Sequence, residues 1–170
     1  IILLEIRLTS QQKIMLLSLN MNKMKEIRIE KITLNIGTGK PGEDLDKAVK
    51  LLTKITSKKP IITLSKHRIP TWNLRVGLQI GCKVTLRKKE FETLLPRLFK
   101  AKGNKLFVKN FDTFGNFSFG IAEYLDVSGI EYDMTIGIIG FEVAVTLARA
   151  GFRIKRRHFL RRSIPQKHQI

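Results

Sequence analysis

Between a strand-like run and an amphipathic stripe lies Gly37-Thr38-Gly39-Lys40-Pro41-Gly42, which has the spacing of a G-x-G-x-x-G turn. In that setting the glycines would let backbone amides close around a dinucleotide pyrophosphate at a helix N-terminus. Three features oppose this chemistry. Pro41 lacks the amide donor that an anion-binding turn needs. No acid occurs between Asp46 and Glu90, so the ribose-binding carboxylate expected about 20 residues on is missing. Repeated strand–helix–strand units do not follow. What is left is a turn whose amides cradle a single phosphate, or a plain turn. The other reactive side chains form no constellation. His67, His158 and His168 have no metal-ligand spacing, and no acid pairs with a plausible nucleophile or base. Cys82 is the only cysteine; within a long apolar alternation it reads as a small core residue in a reducing, intracellular setting. No catalytic residue, metal, cofactor or small-molecule substrate is expected.

Charge carries more information. The chain has a net charge of +18, laid out in blocks. Lys58 to Lys109 holds fourteen Lys and Arg against two acids, and Arg149 to Ile170 holds eight against none. Between them, Asn110 to Ala148 has six acids and no Lys or Arg. Repulsion of that size favours a polyanionic partner, and the acidic interval implies a second face for something else. The tail Arg153-Ile154-Lys155-Arg156-Arg157-His158-Phe159-Leu160-Arg161-Arg162 is expected to be loose alone in water and to order against RNA. Trp72 sits in a loop with His67, Arg68 and Arg75, which suits contact with a nucleotide or packing of the loop onto its own domain. Phe107, Phe111, Phe114, Phe117 and Phe119 would make a base-stacking platform, but they lie in or beside the acidic block. Most of them are therefore expected in the core.

The elements that position these groups follow from hydrophobic periodicity. Alternation over Ile27 to Ile36 predicts a strand, with a phase change at Glu30-Lys31 that suggests a bulge. Leu45, Ala48, Val49, Leu52 and Ile55 make one helical stripe over Glu43 to Thr56, with acids early and lysines late. Ile61 to Leu64 is a short apolar strand, and Ser65 to Gly77 a basic loop. In Leu78 to Arg87, Ile80, Cys82, Val84 and Leu86 face one way, with Lys83, Thr85 and Arg87 opposite. Phe91 to Phe99 looks helical, with Pro96 expected to kink or end it. Leu106 to Val108, Phe117 to Ile121 and Ile138 to Leu147 supply further strands, the last with Phe141, Val143, Val145 and Leu147 on one face.

This pattern predicts an α+β fold: an antiparallel or mixed sheet, helices packed on one face, and a polar, basic open face carrying Lys83, Thr85, Arg87 and Thr146. That face would lie against an RNA helix or simply be solvated. Residues 21–152 form one domain in this reading and 153–170 a basic tail. Residues 1–20 read as an N-terminal extension or misplaced start, with no secretory signal pattern. No apolar run approaches the roughly 20 residues that span a bilayer, so no membrane partner is expected. The rivals left open are a nucleotide-dependent enzyme built on the Gly37–Gly42 loop and a general RNA chaperone.

Several segments together resemble a known family. Glu30-Lys31-Ile32-Thr33-Leu34-Asn35-Ile36-Gly37-Thr38-Gly39, Lys59-Pro60-Ile61-Ile62-Thr63-Leu64-Ser65-Lys66, Leu74-Arg75-Val76-Gly77 and Ile80-Gly81-Cys82-Lys83-Val84-Thr85-Leu86-Arg87 are similar to the ribosomal proteins that hold 5S rRNA on the large subunit. That family is numbered fifth among bacterial large-subunit proteins and eleventh in eukaryotes. Phe111-Asp112, Gly115-Asn116-Phe117-Ser118-Phe119-Gly120 and Ile130-Glu131-Tyr132-Asp133 continue the likeness, and Gly151-Phe152-Arg153-Ile154-Lys155-Arg156-Arg157 with Lys167-His168 resembles its archaeal branch. The resemblance implies a cytoplasmic ribosomal protein that anchors 5S rRNA in the central protuberance. It implies that Asn35, Gly37, Thr38, Thr63, Lys66, Lys83, Thr85 and Arg87 dock on 5S rRNA. It implies that His67, Arg68, Trp72, Asn73 and Arg75 reach the elbow of P-site tRNA and nearby large-subunit rRNA. The tail bases Arg153, Lys155, Arg156, Arg157, Arg161 and Arg162 are assigned to rRNA. Glu131 and Asp133 are candidates for an intersubunit bridge to a basic protein of the small-subunit head. The chain departs from the family at Gln79, where Pro is common, and the helix that follows Lys167-His168 in the archaeal type lends no role here.

Overall fold

The computed structural model describes residues 22–170; the predicted extension at 1–20 lies outside the described residues. Ile29–Leu147 forms one compact unit, and Ala148–Ile170 with the segment ending at Arg28 forms another.

In the larger unit, alternation does what the period of a strand requires. β1 (Arg28–Gly37) buries Ile32, Leu34 and Ile36, and β3 (Gln79–Arg87) buries Cys82, Val84 and Leu86. β4 (Phe117–Ile121) contributes Phe119 and Ile121 to the same side, and β5 (Phe141–Ala148) contributes Phe141, Val143 and Val145. With β2 (Ile61–Leu64) these strands make a five-stranded sheet in the order β2-β3-β1-β5-β4. β2 and β3, β1 and β3, and β4 and β5 pair antiparallel. The β1–β3 register runs without a shift from Lys31↔Arg87 to Gly37↔Gly81.

Two helices cover the apolar side. α1 (Glu43–Thr56) starts behind Gly42, with Glu43, Asp44 and Asp46 in its first turn and Lys54 in its last, which the helix dipole favours. It ends at Ser57, which is left-handed at φ 54° and returns its N–H to the Thr53 carbonyl at 2.8 Å. Leu45, Ala48, Leu51, Leu52 and Ile55 are buried; the stripe is wider than the expected one because Leu51 also faces the sheet and Val49 is only partly covered. Burial on this scale is worth about 1.5–3 kcal/mol per Leu or Ile, so Leu52→Asp would detach the helix.

Several expectations are corrected. The second helix, α2, spans Leu94–Ala101 and not Phe91 to Phe99; a 3₁₀ turn holds Lys88–Phe91. Pro96 therefore lies in the first helical turn, where a missing N–H costs no intrahelical bond, and it neither kinks nor ends the helix. Leu106 to Val108 is no strand. Phe107 and Val108 are both exposed, and Val108–Asn110 closes a 3₁₀ turn, so no alternating face exists to pair. β5 begins at Phe141, behind Gly140, where a Cβ would meet the Ala122 carbonyl oxygen at 2.6 Å. β2 is an edge strand with Ile61, Ile62 and Leu64 exposed. Of the five phenylalanines expected mostly in the core, only Phe119 is buried. Phe117 is half-buried and stacks with it, while Phe107, Phe111 and Phe114 are exposed. Phe99 already stacks on both Phe117 and Phe119, which fills the apolar side at this end of the sheet and leaves the turn rings outside.

The smaller unit is not a loose tail. Arg149 Nη1 donates to the Gln169 carbonyl at 2.8 Å, and His168 Nε2 lies 2.9 Å from the Ala150 carbonyl, which can only accept. Phe152 is buried edge-on against His168. Closing the chain on itself satisfies backbone carbonyls that an open segment would leave to water, while Arg153, Arg156, Arg157, Arg161 and Arg162 stay exposed.

Candidate nucleic-acid interface

Because paired residues of an antiparallel ladder point to the same side, register assembles the open face of the sheet residue by residue. Lys31 pairs with Arg87, Thr33 with Thr85, Asn35 with Lys83, and Gly37 with Gly81. On the far side of β3, Ile61 pairs with Lys83 and Thr63 with Gly81. Thus Asn35, Gly37, Thr63, Lys83, Thr85 and Arg87 are brought onto one surface, all opposite the helices. The face is polar apart from exposed Ile61 at its β2 edge, and has cations at two levels. Lys83 is exposed and makes no ion pair among the described residues, whereas Arg87 Nη1 lies 3.9 Å from Glu30.

Gly81 is why this surface stays low. A Cβ there would sit 2.5 Å from the Ile36 carbonyl oxygen and 3.1 Å from Thr63 Oγ1. Sequence reasoning missed Lys31, Thr33 and Gly81; the i, i+2 spacing of Lys31, Thr33 and Asn35 was the available signal. It also missed Glu142 as a member of this face. Glu142 pairs with Gly120 and its Oε2 accepts from Asn35 Nδ2 at 3.4 Å, so one acid of the acidic block lies on the cation-bearing side. Strand parity puts it there: Phe141 and Val143 face inward, so Glu142 faces out.

The Gly37–Gly42 segment folds back toward β3. The amides of Thr38 and Gly39 both donate to the Ile80 carbonyl, at 2.9 and 3.0 Å, and Thr38 Oγ1 donates to the Lys40 carbonyl at 2.9 Å. Two of the loop amides are thus turned back onto the chain, and three acids crowd the start of α1, which disfavours an anion there.

Ser65 to Gly77 is a built protrusion. Ile69 and Leu74 exchange two backbone hydrogen bonds at 3.0 Å around a 3₁₀ turn at Pro70–Trp72, and Ser65 Oγ donates to the His67 carbonyl at 2.8 Å. Lys66, His67, Arg68, Asn73 and Arg75 are exposed, and Trp72 is 71% exposed, so the ring does not pack the loop onto its own domain. Asn73 is left-handed at φ 54°, which accounts for an Asn there on conformational grounds alone.

Of the two acidic candidates, Glu131 is exposed, while Asp133 works inside its own loop. Asp133 Oδ1 accepts from Thr135 Oγ1 at 2.7 Å and Thr135 N at 3.0 Å, and Lys54 Nζ lies 3.5 Å from Oδ2. The Thr135 hydrogen bonds, with Lys54 behind them, hold its carboxyl below the usual range. Cys82 is fully buried, and burial pushes its thiol up to about 11. Among the described residues no group of His, Cys, Asp and Glu has metal-binding geometry, and no helix is long and apolar enough to cross a membrane.

An α+β domain with one face committed to helices and the other left open and cationic has the layout expected of a nucleic-acid-binding structural module. Comparison with known proteins narrows the class. Residues 22–75 match the family model described as ribosomal protein L5, and residues 79–165 match the model for the C-terminus of the same ribosomal family. The chain is 45% identical over 148 residues to large ribosomal subunit protein uL5 of Sulfurisphaera tokodaii, covering 87% of this chain and 84% of that protein. It is 45% identical to uL5 of Nanoarchaeum equitans, covering 86% and 87%. Against uL5 of Picrophilus torridus it is 43% identical, covering 88% and 85%. The chain belongs to the ribosomal protein L5 family. As such it is a structural component of the cytoplasmic ribosome and not an enzyme, which removes the nucleotide-dependent rival.

Proposed function

We propose that this large-subunit constituent fastens 5S rRNA into the central protuberance through the open face of its sheet. The observation that carries the reading is the pairing of Asn35 with Lys83 and Thr33 with Thr85 on a face that no helix covers. Hydroxyls and amides contact sugars and phosphates, and the cations displace counterions from the backbone. The protrusion holding His67, Arg68, Trp72 and Arg75 extends toward the elbow of P-site tRNA and adjacent large-subunit rRNA, and the Arg- and Lys-bearing tail contacts rRNA. Glu131 offers the exposed negative charge for a basic protein of the small-subunit head; Asp133 shapes the loop that presents it. Residues 21–152 act as the RNA-binding domain and 153–170 as its basic extension. Binding of the full chain to isolated 5S rRNA tests the reading: Lys83→Glu should weaken it and Glu131→Lys should leave it intact. Equal losses from the two would refute the division of faces.

A further inference from the structure

An acid on a surface offered to phosphates is an anomaly, since it repels what its neighbours attract. Glu142 stands at the edge of a trough of about 340 Å³ that crosses β1, β5 and β4. The floor and walls are small and uncharged, with Thr33, Asn110, Ser118, Gly120 and Ala144 among them, and no Lys or Arg lines it. A phosphate finds no counter-charge there, whereas a flat neutral heterocycle finds room. The volume is at the small end of ligand sites, enough for one base and not for a stack.

We propose that Glu142 reads the Watson–Crick edge of one unpaired guanine of the docked RNA, held in this trough. The inference rests on the 5S rRNA reading above. A carboxylate only accepts, and its two oxygens suit two adjacent donors. Guanine alone among the RNA bases presents two, N1–H and N2–H; adenine, cytosine and uracil each set an acceptor beside their donor, which a carboxylate repels. Recognition of splayed-out bases by their edges is how proteins read RNA sequence. The long 3.4 Å contact from Asn35 Nδ2 leaves Glu142 acceptor capacity, and places it beside a residue of the docking face.

The test uses the full chain, isolated 5S rRNA, hydroxyl radicals to report the backbone, and kethoxal to report guanine N1 and N2. The wild type should protect a guanine from kethoxal. Glu142→Ala and Glu142→Gln should expose that guanine again while the backbone footprint stays. Affinity should fall on the order of 10-fold, as for loss of a bidentate base contact, with an unchanged salt slope. Inosine at that position should erase most of the difference between wild type and Glu142→Ala. Tighter binding by Glu142→Ala would overturn the proposal, because that is the sign expected of a carboxylate that merely repels phosphate. Wild-type binding by Glu142→Gln would also overturn it, since the amide still accepts from Asn35 and the role would be to orient Asn35. Absence of any backbone footprint with the wild type would instead remove the 5S rRNA reading itself, before any variant is compared.

Discussion

Lys83→Ala isolates the charge on which the proposed docking to 5S rRNA turns. Lys83 lies in the middle of the open face, paired with Asn35 on one side and Ile61 on the other. Its charge is available: Arg87 has Glu30 at 3.9 Å and Lys58 has Glu90 at 2.6 Å, but no acid pairs with Lys83 among the described residues. A lysine that meets one phosphate releases about one counterion, so its removal should lower the slope of log K against log salt by about 0.7–0.9. Between about 50 and 200 mM salt, that difference makes the wild-type advantage shrink by about threefold. Arg87→Ala should change the slope less, because Glu30 already offsets part of its charge. Asn35→Ala should weaken binding by about 1 kcal/mol with no slope change, as for a neutral hydrogen bond. Fluorescence anisotropy with labelled 5S rRNA over a salt series reads all three. Parallel lines for wild type and Lys83→Ala would refute the argument, whatever the absolute affinities.

Three further outcomes follow from local geometry. Gly81→Ala should destabilise the fold by about 1–3 kcal/mol, as overpacking does, because the new Cβ would lie 2.5 Å from the Ile36 carbonyl oxygen; an unchanged urea midpoint would contradict that close approach. Cys82 keeps its proton in the folded state up to about 11 against 9.0 when free, so its contribution is intact below about pH 9 and is lost as pH rises toward 11. Cys82→Ala should remove about 2–3 kcal/mol of that alkaline decline, read from urea unfolding of both proteins at a series of pH values; equal declines would mean that the thiol is not its source. Trp72 is the only tryptophan and is 71% exposed, so its emission should be solvent-like and readily quenched by iodide. Bound 5S rRNA should leave that quenching unchanged and tRNA should reduce it; protection by 5S rRNA alone would place the protrusion on the wrong partner.

Much of this architecture is legible in the sequence because strand and helix periods are local. The alternation of Cys82, Val84 and Leu86 against Lys83, Thr85 and Arg87 names both faces of β3 without knowledge of any other strand. The acids and stripe of Glu43 to Thr56 define α1 to the residue. Features decided by neighbours distant in sequence are not legible in the same way. Leu106 to Val108 has apolar residues but no ladder to join, so it turns. Pro96 threatens a helix that begins at Phe91; the start at Leu94 makes the same residue harmless. Phe107, Phe111 and Phe114 stay exposed although their type favours the core, with the Phe111 ring lying against half-buried Phe117, because hydrophobicity has a sign but no direction in a turn.

Charge shows the same division between order along the chain and order in space. In sequence, cations and anions are separated by tens of residues, which suggests two faces with opposite sign. The sheet order β2-β3-β1-β5-β4 sets β1 between a strand of the basic block and a strand of the acidic one. Asn35 thereby has Lys83 as its partner on β3 and Glu142, 107 residues away, within reach on the other side. Blocks of charge therefore set the polyanionic class of partner, through the sum of their fields. Discrimination within that class falls to places where the blocks are interleaved, because only there does an acceptor stand among cations close enough to a docked base. A surface of lysines alone would hold any folded RNA of suitable shape; a single misplaced-looking carboxylate beside an uncharged trough is what lets this face prefer one.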